Sequence, residues 1–290
     1  MKGVRLSEWL LIAYFAYTAV LAQVLPVRPG VAGITVAVNA AVLAGFALLA
    51  WAESLRGRRL FSIVRDWYAP PLMLLAYREM GWFAPSRHTY ALEQGWVVWD
   101  RTLLNGWGLH GAIEVLGPLL PSVLEVAYLL TYAVAPFAMA MLYVYRKRER
   151  IDRFLMVFLI GILTAYALFP CFPSEPPRRA FPGELFPSFD TLFRRANSAL
   201  LGGYGIHTSV FPSAHVAGAF AGAFAMLRLL PERRWVGWAL LVLAVLIATA
   251  TVYGRYHYAV DAVAGFAISV GAYFVGLAVD PRAERSLVRG

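Results

Sequence analysis

Charge is what this sequence has least of. Of its 290 residues only 15% are Asp, Glu, Lys or Arg, while 60% are hydrophobic. Soluble domains run at about 25% charged and about 45–50% apolar. The balance excludes a disordered or collagen-like chain and an ordinary soluble enzyme. Cysteine is nearly absent. Cys171 stands alone, which excludes a disulfide framework within the chain and any Cys-based zinc site. Acidic residues are outnumbered, 17 against 26 Lys and Arg, for a net charge of +9. The excess does not mark a nucleic-acid binder, because no basic patch sits on a polar domain. The basic residues lie instead at the ends of apolar blocks, as the positive-inside rule expects.

Long apolar runs are what the chain does have: 8–26, 31–52, 120–145, 152–170, 211–230, 235–253 and 258–279. Each is close to the ~20 residues that a spanning helix needs. The first does not read as a cleaved leader, since Gln23-Val24-Leu25-Pro26 is a poor small-residue cleavage site. Lys2 and Arg5, Arg56 to Arg59, Arg146 to Arg153, Arg228 to Arg234 and Arg282 to Arg289 flank these runs. One threading puts all of them on the cytoplasmic side. It needs an eighth crossing, and 67–84 is the candidate, with Pro70 and Pro71 opening a short helix. Arg78 and Glu79 make it the weakest span, with a re-entrant segment as the alternative. The expected fold is therefore all-α, a polytopic membrane bundle of about eight crossings with both termini cytoplasmic. Segment 85–118, with Trp96, Trp99 and Trp107 beside Glu93, Asp100 and Arg101, reads as an amphipathic helix at the membrane interface. The division is 1–118, N-terminal helices plus the interfacial segment, and 119–290, the catalytic core.

Three polar clusters remain. They are Pro173-Ser174-Glu175-Pro176-Pro177-Arg178-Arg179, Phe211-Pro212-Ser213-Ala214-His215, and Tyr253-Gly254-Arg255-Tyr256-His257-Tyr258-Ala259-Val260-Asp261. His215 and His257 are 42 residues apart. Two spanning helices and a tight turn cover that interval and return both histidines to one membrane face. Arg178, just past block 152–170, emerges on the same face, which the threading makes extracytoplasmic. Four residues separate His257 from Asp261, so on a helix they share a face. A carboxylate on one ring nitrogen fixes the tautomer and raises the basicity of the other. That makes His257 a nucleophile candidate and His215 an acid/base candidate. Arg178, Arg179, Arg255 and Ser213 could hold phosphate oxygens. Pro212 fits the opening of a helix whose N-terminus favours an anion. The set describes phosphoryl transfer through a phosphohistidine, with no metal and no cofactor called for. A structural alternative pairs Asp261 with Arg255 to hold two helices. His88, His110 and His207 read as interfacial or structural.

These clusters resemble the signature of the type 2 phosphatidic acid phosphatase superfamily of integral-membrane enzymes. Pro-Ser-Ala-His at 212–215 is similar to its Pro-Ser-Gly-His motif, and His257 with Asp261 to its His-x-x-x-Asp motif. The run around His257, with Pro176-Pro177-Arg178, is most similar to the branch of fungal inositol phosphorylceramide synthase and its bacterial relatives. The likeness covers about 152–279; the front half matches only through Arg65-Asp66-Trp67. The resemblance implies His257 as nucleophile, Asp261 as its orienter, His215 as acid/base, and Ser213 and Arg178 on phosphate. Two departures favour the phosphotransferase-like branch. No lysine precedes Arg178, and the arginine six residues before the nucleophile is replaced by Thr251, leaving Arg255 as its substitute.

The expected activity is that of a lipid phosphatase or phosphotransferase acting on a phospholipid or polyprenyl phosphate. Its partners are that lipid, membrane lipids, and water or a hydroxyl acceptor. Transfer of inositol phosphate or another polyol phosphate is a close variant. The expected location is a bacterial plasma membrane. The alternative is an inactive lipid-binding or lipid-transport protein of the same fold. No particular oligomer follows from the sequence.

Overall fold

The computed structural model describes residues 4–56, 59–84, 88–206, 208 and 210–279. Lys2, Arg58, His207, Arg282, Arg285 and Arg289 lie outside the described residues. Among the described residues the chain is helical, with no strand. The front half holds α1 (Leu6–Val24), α2 (Val31–Arg56), α3 (Arg59–Trp67), α4 (Ala69–Met80), α5 (Ala91–Arg101) and α6 (Leu109–Glu114). The back half holds α7 (Leu119–Leu129), α8 (Val134–Val144), α9 (Ile151–Leu168), α10 (Pro177–Ala180), α11 (Leu192–Tyr204), α12 (Ala214–Leu229), α13 (Arg234–Tyr253) and α14 (Ala259–Val279).

Among the described residues six stretches are long and apolar enough to span: Leu6–Val24, Val31–Leu55, Leu119–Val144, Arg148–Cys171, Pro231–Tyr253 and Ala259–Val279. The chain is a polytopic helical membrane protein. The other two members of the expected set are short. α12 has 16 residues because Ser213 caps it, its Oγ accepting from Val216 N–H at 3.4 Å. Pro212 therefore precedes the cap instead of opening the helix. α4 has 12 residues, with its prolines in the first turn as expected. At 1.5 Å per residue it covers about 18 Å of a core about 30 Å thick. Its charged residues are engaged: Glu79 accepts from Thr18 Oγ1 at 2.9 Å, and Arg78 donates to the Tyr204 carbonyl at 2.7 Å.

α12 packs against α9, α13 and α14, and most of its residues are buried. Two glycines permit that approach. A Cβ on Gly161 of α9 would meet the Ala217 carbonyl at 3.0 Å, and one on Gly265 of α14 would meet the Ser213 carbonyl at 2.5 Å. The second contact seats the start of α14 on the start of α12, so Ser213 N–H reaches the Asp261 carbonyl at 3.0 Å.

The basic flanks gather at one end of this bundle. Asp66 accepts from Arg5 at 2.6 Å, from Arg148 at 2.6 Å and from the Tyr143 hydroxyl. Arg65 pairs with Glu8, and Arg150 with Glu232. Arg65-Asp66-Trp67 is thus an ion-pair staple between α1, α3 and the α8–α9 connection. The three polar clusters lie together elsewhere, where α9, α12 and α13 meet their loops. Segment 85–118 is not one amphipathic helix. A π-helical turn at Thr102–Gly106 separates α5 from α6. Trp99 and Trp107 are exposed, as an interfacial belt requires, but Glu93 and Asp100 are fully buried. Besides the neighbouring His88 on Glu93, their partners are the distant Glu175 N–H for Glu93 and Arg255 and Ala259 for Asp100, which local amphipathicity cannot reveal.

Candidate active site

Residues 254–258 turn the chain between α13 and α14. The Thr251 carbonyl accepts from both Tyr256 N–H and His257 N–H at 2.9 Å, which folds the turn back over the end of α13. This presents His257 to the first turn of α12. His257 Nε2 lies 3.2 Å from His215 Nδ1. On its other edge, His257 Nδ1 is 2.9 Å from the Val210 carbonyl and 3.3 Å from Asp261 Oδ2. A carbonyl can only accept, so Nδ1 carries the hydrogen and Nε2 presents its lone pair. Asp261 Oδ2 also accepts from Tyr258 N–H at 2.9 Å, tying the carboxylate to the backbone of the same turn. Burial, and then the Arg178 charge, hold the His257 imidazole well below its usual pKa. It is therefore neutral at physiological pH, the form that can attack.

His215 is set by stacking. The Tyr128 ring lies between it and Tyr256, with centroids at 5.1 and 4.0 Å. Arg178 reaches the same place from the first cluster. Its N–H donates to the Arg255 carbonyl at 3.2 Å, and its guanidinium sits 5.5 Å from the Tyr256 ring centroid. No carboxylate among the described residues pairs with it.

Both histidines and Arg178 line one cavity of about 310 Å³. Its walls are mostly apolar, among them Phe158, Ile162, Phe169 and Leu201, with Tyr77, Tyr132 and Tyr166 also lining it. Arg178 lines a neighbouring groove too, together with Arg179 and Ser198.

The remaining sequence candidates fall elsewhere. Ser213 is buried and occupied as the α12 cap. Arg255 does not line the cavity. It is fully buried and paired through Nη1 with Asp100 on α5, not with Asp261, and its Nε and Nη2 have no hydrogen-bond partner among the described residues. Arg179 is exposed in the outer groove. His88 bonds Glu93, and His110 faces the Phe186 carbonyl at 3.1 Å. Among the described residues no group of three or more His, Cys, Asp and Glu side chains is gathered as for a metal ion.

The profile described as the PAP2 superfamily matches residues 97–275, more than half of the chain. The chain belongs to the PAP2 superfamily. The matched stretch runs from within α5 to within α14 and takes in all three polar clusters. PAP2 membership and the apolar helices together identify a membrane phosphatase-type fold. No curated protein and no solved structure matches the chain significantly.

Sequence reasoning missed two features of this PAP2 site. The Val210 carbonyl that sets the His257 tautomer leaves no mark in a sequence, because any residue supplies one. Tyr128 reads as an ordinary apolar-block aromatic until its stack on His215 and Tyr256 is seen.

Proposed function

We propose that the protein is a lipid phosphate phosphatase or phosphotransferase working through a phosphohistidine on His257. The observation that carries this reading is the lone pair of His257 Nε2, directed at His215 inside a mostly apolar cavity lined by Arg178. In the reaction, the phosphorus of a lipid phosphate ester enters between the two rings and parts their 3.2 Å contact. Nε2 forms the N–P bond as the bond to the ester oxygen breaks. The negative charge of the entering phosphate favours the imidazolium form of His215, which hands that oxygen a proton, and the alcohol leaves. Arg178 balances charge on the non-bridging oxygens. The phosphorylated ring is positive, and the Val210 carbonyl and Asp261 stabilise its Nδ1–H. In the second half, water or a hydroxyl acceptor gives its proton to His215 and attacks phosphorus, which restores His257. The chemistry uses no cofactor and no metal.

The apolar walls favour transfer to a lipid hydroxyl over hydrolysis, since they keep the local concentration of water low. The lead donors are phospholipids and polyprenyl phosphates. A donor whose phosphorus keeps inositol or another polyol is the variant that the likeness to inositol phosphorylceramide synthase supports. The site lies away from the basic end of the bundle, which supports an extracytoplasmic active site under the positive-inside rule.

A product assay on the detergent-purified protein tests this reading. Phosphatidic acid, polyprenyl pyrophosphate and phosphatidylinositol are each supplied with and without a lipid alcohol, and products are read by mass spectrometry. The expected result is acceptor-dependent transfer that exceeds phosphate release. Release that ignores the acceptor would make it a phosphatase alone. No product from any donor would contradict catalysis on these lipids.

A further inference from the structure

Two buried carboxylates grip the turn that carries His257, and neither lines the cavity. Asp100 on α5 is fully buried. Its Oδ2 takes the Arg255 guanidinium and its Oδ1 accepts from Ala259 N–H, the first residue of α14, at 2.8 Å. Glu125 on α7 is buried as well. It accepts from the Tyr256 hydroxyl at 2.6 Å, from Asn197 Nδ2 at 2.7 Å and from Arg194 Nη1 at 3.0 Å. The two residues before His257 are thus each fastened to a different helix.

Each carboxylate is also balanced by an arginine, Arg255 or Arg194, so neither is free to act as an acid or base. A buried ion pair contributes little net stability compared with apolar packing of the same volume. What such a pair does supply is geometry. Geometry has to be supplied here, because Arg255 adopts φ +62°, a left-handed backbone that a side chain larger than glycine's disfavours. The Asp100 contacts on both sides of His257 hold that turn in place. On the other flank, Glu125 holds Tyr256 and lies one turn from Tyr128. Tyr128 stacks on both Tyr256 and His215. One carboxylate therefore sets the turn and the other sets the stack.

We infer that Asp100 and Glu125 are positioning residues, which hold His257 and His215 in register for attack without touching substrate. The inference rests on the phosphotransfer reading above. It also gives α5, outside the six spanning stretches, a part in the chemistry.

The test uses the full chain with Asp100→Asn, Glu125→Gln and Tyr256→Phe. The last removes one hydrogen bond and keeps the ring stack. Each variant is compared with wild type for kcat, KM, melting temperature and the affinities for orthovanadate and inorganic phosphate. Vanadate can bond an aimed Nε2, whereas phosphate needs only the arginine. A misplacement of about 1 Å costs about 100-fold in rate. We expect kcat to fall by about 10- to 100-fold in the first two variants and less in Tyr256→Phe, with KM within about threefold. The wild-type preference for vanadate over phosphate should disappear while phosphate affinity stays. A lower melting temperature with unchanged kcat in the folded protein would overturn the proposal, as would a raised KM with kcat intact. If wild type itself shows neither turnover nor a vanadate preference, the phosphotransfer reading fails, and this inference with it. That result is separable because it appears before any substitution.

Discussion

His257→Ala is expected to lower turnover by about 10⁴-fold or more while leaving lipid phosphate affinity within a few-fold of wild type. The substitution removes the atom that forms the N–P bond. Arg178 and the apolar cavity walls, which bind the substrate, stay. It also leaves the Val210 carbonyl without its donor, which costs about 1–3 kcal/mol when buried. His257→Asn is the control for that loss, since its amide can still donate toward Val210. Both variants should be inactive, and Asn should be the more stable in a thermal melt. Rates from purified protein, with binding read separately, check the split. Full turnover in either variant would remove His257 from the chemistry. Binding that matches an equally inactive wild type would instead favour a lipid-binding or lipid-transport protein of this fold.

The second large effect is at His215. A general acid or base contributes about 10²–10⁴-fold, and His215→Ala should fall within that range on a natural lipid donor. The loss should depend on the leaving group. A nitrophenyl phosphate ester departs without a proton, so its first step is spared in the variant. The second step still lacks the base that activates water or acceptor. A burst of nitrophenol, followed by slow turnover, is therefore expected from His215→Ala with this donor. Equal losses on both donors, with no burst, would mean that His215 only supports the Tyr128 stack.

How much of this was legible in the sequence follows from the range of the interactions involved. Spanning helices have a fixed length, so 42 residues between His215 and His257 could be converted into a shared membrane face. The structure places the two rings 3.2 Å apart. Four-residue spacing likewise brings Asp261 to His257, although the Val210 carbonyl is the nearer partner. Apolar blocks located the long helices, but the start of α12 depended on Ser213 as a cap, which composition alone does not locate. Arg255 was the residue least open to reading. Its proximity to His257 in sequence suggested a phosphate ligand, and only the tertiary fold shows Asp100 drawing its side chain away from the cavity. Glu93 and Asp100 misled in the same way. Polar residues among tryptophans suit an interface, and the loops that bury these two lie more than seventy residues further along the chain.

The central claim is that phosphorus passes through a covalent bond to His257 Nε2. Rapid-quench labelling with a ³²P-labelled nitrophenyl phosphate ester tests it most directly, using His215→Ala to slow the second step while sparing the first, and mass spectrometry to locate the label. The account predicts label on His257 that survives alkali, is lost in acid and is absent from the His257→Ala,His215→Ala double variant. Turnover with no label at any time point, or with label on another residue, would contradict it.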